Sequence, residues 1–126
     1  KTSLAILDKR RPRDNVAEIV NVVGDVKGKK VILFDDMIDT GRSLVGAAET
    51  LLNVGAVSVQ ACAAHGLLSG NAAELLQNSL IDRILLTNTI PHRSLPDKFK
   101  ILDISHLLGE AVIRVRKNLS VSILFR

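Results

Sequence analysis

Acidic and small polar residues between Asp35 and Ser43 have the types and spacing expected of a site for a phosphorylated sugar. The apolar residues 31–34 predict a strand that is buried on both faces. Asp35 and Asp36 follow that run directly, so we expect both carboxylates at the carboxyl end of the strand. Ser43 is a suitable N-cap for a helix over residues 44–52.

The short turn between this strand and this helix predicts a phosphate site. Its backbone N–H groups and the positive end of the helix dipole would face a bound phosphate monoester. The two strand-end carboxylates can accept hydrogen bonds from vicinal ribose hydroxyls. Together the two parts fit ribose 5-phosphate, and the residues predicted to bind it are Asp35, Asp36, Asp39, Thr40, Gly41, Arg42 and Ser43.

Strands and helices alternate along the chain, which predicts the α/β class. We expect a mostly parallel sheet with helices on both faces and with ligands collecting beyond the carboxyl ends of its strands. The predicted strands are 4–7, 16–26, the run after Lys30, 57–64, 83–87 and 100–103, and the predicted helices are 43–53, 71–78 and 105–117. Residues 8–15 are expected to form a loop, the strand 16–26 to return as a ribbon into Val31 through a turn at 24–28, and residues 118–125 to form an edge strand.

Composition excludes several other classes of protein. A chain of 126 residues with 47% hydrophobic content supports one compact domain over residues 1–126, and no apolar stretch approaches the roughly 18 residues of a membrane span. The lone Cys62 and the lack of a secretory signal favour a reducing cytoplasm. Three Phe with no Tyr or Trp argue against stacking on single-stranded nucleic acid, whereas the net charge of +4 suits phosphate ligands.

The segment DDMIDTGRS at 35–43 resembles the phosphoribosyl-diphosphate loop of the type I phosphoribosyltransferases, and its DDMIDT part is most similar to class I ribose-phosphate diphosphokinases (PRPP synthetases). Four further segments resemble that family in the same order: LAILDKRRPRDNVAE, ACAAHGLLSG, LLTNTIP and SVSILF. The family usually has Ala or Cys, Gly and Thr where this chain has Gly41, Arg42 and Ser43. Arg42 either adds a guanidinium contact to phosphate or fills a place where close backbone approach is needed.

This resemblance implies a type I phosphoribosyltransferase-like fold and transfer of the diphosphoryl group of ATP to ribose 5-phosphate with Mg²⁺, giving PRPP and AMP. The basic residues 9–13, taken alone, would be interpreted as a solvated charge cluster. With the resemblance, Lys9 is expected to stabilise the transition state and Arg11 to clamp phosphate. The family also implies homo-oligomers, often hexamers.

His65 is a single histidine without a second ligand at metal-binding spacing, which is typical of a structural role, and no metal ligands are predicted in this chain. The resemblance places this segment near subunit contacts and a regulatory pocket. It implies an allosteric role for His65, Ser69 and Gly70. The serine-rich tail with Ser120 and Ser122 is implied to contribute to a phosphate or ADP effector site.

Lys1 leads almost directly into a predicted strand, so we expect the chain to be the C-terminal half of a longer enzyme. The ATP-binding half and most Mg²⁺ ligands would then lie in the other half, and this chain alone would bind the sugar phosphate without turnover. Two other functions remain open: a phosphoribosyltransferase that consumes PRPP, and a catalytically silent regulatory homologue.

Overall fold

The computed structural model describes residues 3–10 and 19–125, with the backbone alone at 8–10, 19 and 20. The predicted α/β class with a parallel sheet flanked by helices is confirmed. The strands are β1 (Ile6–Arg10), β2 (Ile19–Val23), β3 (Lys30–Ile38), β4 (Ser58–Gly66), β5 (Arg83–Thr87) and β6 (Phe99–Leu102), and the helices are α1 (Arg42–Asn53), α2 (Ala72–Gln77) and α3 (Ser105–Arg116). A 3-10 turn at Ser122–Phe125 ends the described chain.

The four strands β3, β4, β5 and β6 form a parallel sheet in that order. One row of directly paired residues crosses the whole sheet, and all of its members are buried: Leu33, Ala61, Ile84 and Phe99. The core cluster joins this row to the buried side of α1 and to Leu76 of α2. Parallel pairing brings the carboxyl ends of all four strands to one edge, as the alternating sequence predicts.

The prediction that the apolar part of β3 is buried on both faces is wrong. Leu33 is buried, but its neighbours Ile32 and Phe34 on the other face are 52% and 81% exposed. β3 has β4 on one side and, within the described ranges, no strand on its other side. At β3, the face of the sheet that carries Ile32 and Phe34 is therefore exposed to solvent.

The predicted ribbon from residues 16–26 into Val31 is also wrong, because β2 pairs antiparallel with β1. This ladder includes Asp8, Lys9 and Arg10, which were expected to start a loop. After the predicted turn at 24–28, the Gly28 amide donates to the Gly55 carbonyl at 2.8 Å. The chain therefore runs beside the connection from α1 to β4 and enters parallel pairing.

The C-terminal residues 118–125 do not form the predicted edge strand. Asn118 takes a φ of 53° where α3 ends, and the Ser122 amide donates to the Ser120 hydroxyl at 3.3 Å. Such local side-chain bonds compete with strand pairing. Within the described residues, α3 has no buried side chain, and no helix is both long and apolar enough to cross a membrane.

Candidate sugar-phosphate site

The carboxyl end of β3 and the start of α1 enclose a depression of about 150 Å³. Its lining includes five of the seven predicted sugar-phosphate residues, namely Asp35, Asp39, Thr40, Gly41 and Ser43. Met37, Ile38 and Leu44 complete it, and the sequence interpretation assigned them no role in binding. The structure thus brings most of the predicted residues to one small site at the carboxyl edge of the sheet, as the sequence predicts.

The helix α1 begins one residue earlier than predicted, at Arg42, so the prediction of Ser43 as the N-cap is wrong. Gly41 is the N-cap, with φ 75° and ψ −10°, and no side chain caps the helix. Glycine reaches this left-handed conformation without a steric penalty, which explains why it replaces a capping side chain here. Ser43 lies in the first helical turn with its hydroxyl exposed beside the depression.

The first turn of α1 retains backbone donors for a ligand. The first amide that closes an intrahelical bond is that of Val45, which donates to the Gly41 carbonyl at 3.0 Å. The amides before it have no partner within the helix, and the first turn contains no acidic residue that would offset the helix dipole. These amides and the hydroxyls of Thr40 and Ser43 can hold a phosphate group.

Asp35 and Asp36 do not stand together at the strand end, because β3 continues to Ile38. Consecutive strand residues point to opposite faces, so only one of the two carboxylates faces the depression. Asp35 is the one that lines it, and the Asp36 amide donates to Asp35 Oδ1 at 2.9 Å. Arg42 is exposed and is not among the lining residues. The ribose-binding role of Asp36 and the phosphate role of Arg42 remain predictions.

Of the predicted catalytic residues, Lys9 lies in β1 opposite Val20, where only its backbone is described. Arg11 lies outside the described residues. Both roles remain predictions.

The connection from β4 to α2 contacts the site. His65 pairs in register with Met37 of β3, and its Nδ1 lies 2.9 Å from the Thr89 hydroxyl. The Ser69 amide donates to the Asp39 carbonyl at 3.1 Å, and Gly70 has a φ of 62°. This segment therefore adjoins the candidate site, and the allosteric roles of His65, Ser69 and Gly70 remain predictions.

The predicted effector residues of the tail lie beyond α3. The hydroxyls of Ser120 and Ser122 are 2.7 Å apart, and an Arg114 guanidinium nitrogen donates to the Ser120 carbonyl at 3.0 Å. They do not line the depression at 35–44.

A polar network at the carboxyl ends of β5 and β6 was missed by the sequence interpretation. Asn88 Nδ2 donates to Asp103 Oδ1 at 2.7 Å, and the Ser105 amide donates to the same oxygen at 2.8 Å. The hydrogen bonds from Ser105, followed by that from Asn88, hold the pKa of the Asp103 carboxyl below its ordinary value. The available signal was Asn88, which directly follows the predicted strand 83–87, and Asp103, which ends the predicted strand 100–103.

Comparisons with known proteins show the family of the chain. The profile of the phosphoribosyl synthetase-associated domain family matches residues 6–126. The ribose-phosphate pyrophosphokinase of Thermotoga maritima is 57% identical over 125 residues, which are 99% of this chain and 40% of that protein. That of Caldanaerobacter subterraneus subsp. tengcongensis is 53% identical over 124 residues, or 97% of this chain and 39% of that protein.

A solved structure extends the likeness to the fold. The crystal structure of phosphoribosylpyrophosphate synthetase from Mycobacterium smegmatis superposes with a TM-score of 0.74 at 40% identity, over 79% of this chain and 34% of that one. This chain spans about two fifths of the length of the curated relatives it matches. It belongs to the phosphoribosyl synthetase-associated domain family.

Proposed function

We propose that this chain is the ribose 5-phosphate-binding part of a ribose-phosphate pyrophosphokinase that makes PRPP and AMP from ATP and ribose 5-phosphate. The observation that carries the proposal is the 57% identity, across 99% of the chain, to a relative with that name. The lining of the depression supports it, because five residues chosen for this ligand from sequence line one site.

In the proposed complex, the phosphate of ribose 5-phosphate lies against the first-turn amides of α1 and the hydroxyls of Thr40 and Ser43. The carboxylates of Asp35 and Asp39, which line the same depression, accept hydrogen bonds from the sugar hydroxyls. Asp36 acts on this site through its amide, which donates to Asp35 Oδ1 and orients that carboxylate.

The proposed reaction joins the 1-hydroxyl oxygen of the sugar to the β-phosphorus of ATP. The bond from that phosphorus to the oxygen bridging to the α-phosphorus breaks, AMP leaves with that oxygen, and the hydroxyl proton passes to solvent. Phosphoryl transfer relies mainly on positioning and on positive charge. We assign that charge to Lys9 and Arg11.

Magnesium is the proposed cofactor, and it would neutralise charge on the ATP phosphates. The described residues contain no group of three or more His, Cys, Asp or Glu side chains placed to hold a metal ion. We therefore propose that Mg²⁺ enters bound to ATP, which is usual for this ion, and that its protein ligands lie outside the described residues.

The remaining parts of the proposal concern the whole protein. Because the relatives are much longer than this chain, we propose that an additional segment supplies the ATP site. We propose that the whole protein is cytoplasmic and that it forms a homo-oligomer, which is often a hexamer in the family that the sequence resembles.

The decisive experiment is an assay of AMP and PRPP formation from ATP, ribose 5-phosphate and Mg²⁺ with the full-length protein. AMP and PRPP in equal amounts would support the proposal. A transferase that consumes PRPP would instead release pyrophosphate from PRPP when a nitrogenous base is added. A silent homologue would bind ribose 5-phosphate and form no AMP.

The site is tested separately by calorimetric titration of ribose 5-phosphate. Asp39→Ala and Ser43→Ala should each weaken binding, whereas Asp97→Ala removes an exposed carboxylate from the loop before β6 and should not. If both site variants bind as tightly as the unaltered protein, ribose 5-phosphate binds elsewhere.

A further inference from the structure

The turn that forms the sugar-phosphate site is held by residues that do not line it. Leu67 and Leu68, in the connection from β4 to α2, both donate their amides to the Ile38 carbonyl, at 2.9 and 3.1 Å. The Ser69 amide donates to the Asp39 carbonyl at 3.1 Å. Three amides of one connection thus fix the chain where it enters the turn.

The other end of the turn rests on α2. A Cβ atom placed on Gly41 would lie 3.0 to 3.3 Å from Cγ and both Cδ atoms of Leu76. Leu76 is fully buried and is not among the residues that line the depression. Because Gly41 is the N-cap of α1, the side chain of Leu76 lies against the residue at which this helix begins.

The connection and α2 form one short continuous unit. The Ala72 amide, at the start of α2, donates to the Ser69 carbonyl at 3.2 Å. Leu68 has a φ of 52°, which is uncommon for leucine and fixes the path of the connection. The connection that is bonded to one end of the turn therefore leads directly into the helix whose Leu76 lies against the other end.

We infer that Leu76 is a positioning residue for sugar-phosphate binding: it sets the position of Gly41 and, through it, the direction of the free amides at the start of α1. This inference rests on the proposed function, since ribose 5-phosphate is the ligand concerned. Amides that already point towards a ligand bind it without a loss of conformational entropy. A small displacement of such amides therefore weakens binding strongly.

The test compares Leu76→Ala with Leu51→Ala in the full-length protein. Both leucines are fully buried, and Leu51 lies in the third turn of α1, away from the depression. Titration with ribose 5-phosphate should show Kd raised about tenfold for Leu76→Ala and by less than about twofold for Leu51→Ala, at similar losses of Tm. Equal weakening in both variants, or none in Leu76→Ala, would overturn the inference.

A double-mutant cycle tests the contact itself. Gly41→Ala should weaken binding because its new methyl group meets Leu76, and Leu76→Ala removes that obstacle. The combined variant should therefore bind ribose 5-phosphate more tightly than the two single losses predict. Simple additivity would show that Leu76 does not act through Gly41.

Hydrogen exchange of the ligand-free protein separates this inference from the proposed function. Leu76→Ala should accelerate exchange of the Val45 and Ser69 amides relative to Leu51→Ala, since their acceptors lie in the turn. If the unaltered protein binds no ribose 5-phosphate, the proposed function fails, and the exchange rates still decide the role of Leu76. Should Leu76→Ala not fold, Leu76→Val with Leu51→Val gives the same comparison, and identical exchange in that pair would overturn the inference.

Discussion

At the scale of single residues, Asp35 and Asp36 make different contacts at the candidate site because they lie on opposite faces of β3. Asp35 faces the depression, whereas Asp36 faces the other side and reaches the site through its backbone amide. Substitution of a side chain therefore probes Asp35 directly and Asp36 only through its effect on the strand. Two adjacent aspartates therefore make different kinds of contact: one through its side chain and the other through its backbone amide.

At the residue scale, the proposed transition-state role of Lys9 predicts a large effect on turnover. In the full-length protein, Lys9→Ala should lower kcat by at least about 100-fold, the effect of losing one preorganised charged donor, with much smaller changes in KM. Steady-state kinetics with ATP and ribose 5-phosphate measures both constants. A near-normal kcat would remove Lys9 from the catalytic machinery.

Two glycines of one helix should respond in opposite directions to alanine. Gly41→Ala introduces strain at φ 75° and a 3.0 Å contact with Leu76, so we expect a loss of about 1–3 kcal/mol in the free energy of unfolding. Gly46→Ala, inside α1 with open space around it, should gain about 0.5–1 kcal/mol. Chemical denaturation measures both, and a shared sign would contradict the assigned cause.

Local residue types were sufficient to predict five of the residues that line the depression but insufficient to predict its contacts. The acidic pair and the small polar turn are contiguous, so their joint placement follows from strand and helix signals. The exact helix start depends on a glycine in left-handed conformation, and Leu76 reaches the turn from a helix some 30 residues away. A contact between residues so far apart in the sequence cannot be predicted from the residues around either of them.

At the scale of elements, the Asp103 network joins the ends of β5 and β6 to the start of α3. Asn88 Oδ1 accepts from the Ile104 amide at 3.0 Å while its Nδ2 donates to Asp103. These hydrogen bonds connect the start of α3 to the carboxyl edge of the sheet. They favour the ionised form of Asp103, whose pKa is therefore below the ordinary value.

This lowered pKa predicts a specific pH dependence of stability. A carboxyl group with a lower pKa in the folded state stabilises the protein above its unfolded pKa of about 4, and this contribution is lost as the pH falls through the folded value. Asp103→Ala should lower Tm at neutral pH, and its difference from the unaltered protein should shrink under acid conditions. Thermal unfolding across this range, with Asp97→Ala as control, measures it; a constant difference would contradict the linkage.

Elements with strong periodic patterns were predicted closely, and those defined by distant pairing were not. β5 has the predicted bounds, and α1 and α3 differ from prediction by one residue at one end. Gly55 follows the end of α1: its amide donates to the Leu52 carbonyl, and the Ala56 amide donates to the Leu51 carbonyl. The partner of β2 could not be predicted, because strand pairing depends on the whole fold.

On the scale of the whole molecule, the chain contains the proposed sugar-phosphate site and covers about two fifths of the length of its curated relatives. The proposed reaction also needs an ATP site. Charged side chains that close on ATP without such a site to anchor the nucleotide pay the full cost in conformational entropy.

The 126-residue chain expressed alone should therefore bind ribose 5-phosphate weakly and form no PRPP. Calorimetry would measure binding, and AMP release in the presence of ATP and Mg²⁺ would measure turnover. The full-length protein is the control. Sustained AMP formation by the short chain would show that it contains a nucleotide site that we have not found.

The open face of β3 has a consequence for how the chain behaves at high concentration. Within the part of the chain that the structure describes, the outer edge of β3 has no partner strand, and such an edge beside an aromatic side chain that is 81% exposed is a template for pairing with other chains. The chain alone should self-associate, and Phe34→Lys should keep it monomeric in sedimentation experiments while changing the free energy of unfolding by less than about 0.5 kcal/mol. Val54→Lys, at an exposed position after α1, should leave the association unchanged. Loss of association in Phe34→Lys and not in Val54→Lys would identify this strand as the surface through which the chains pair.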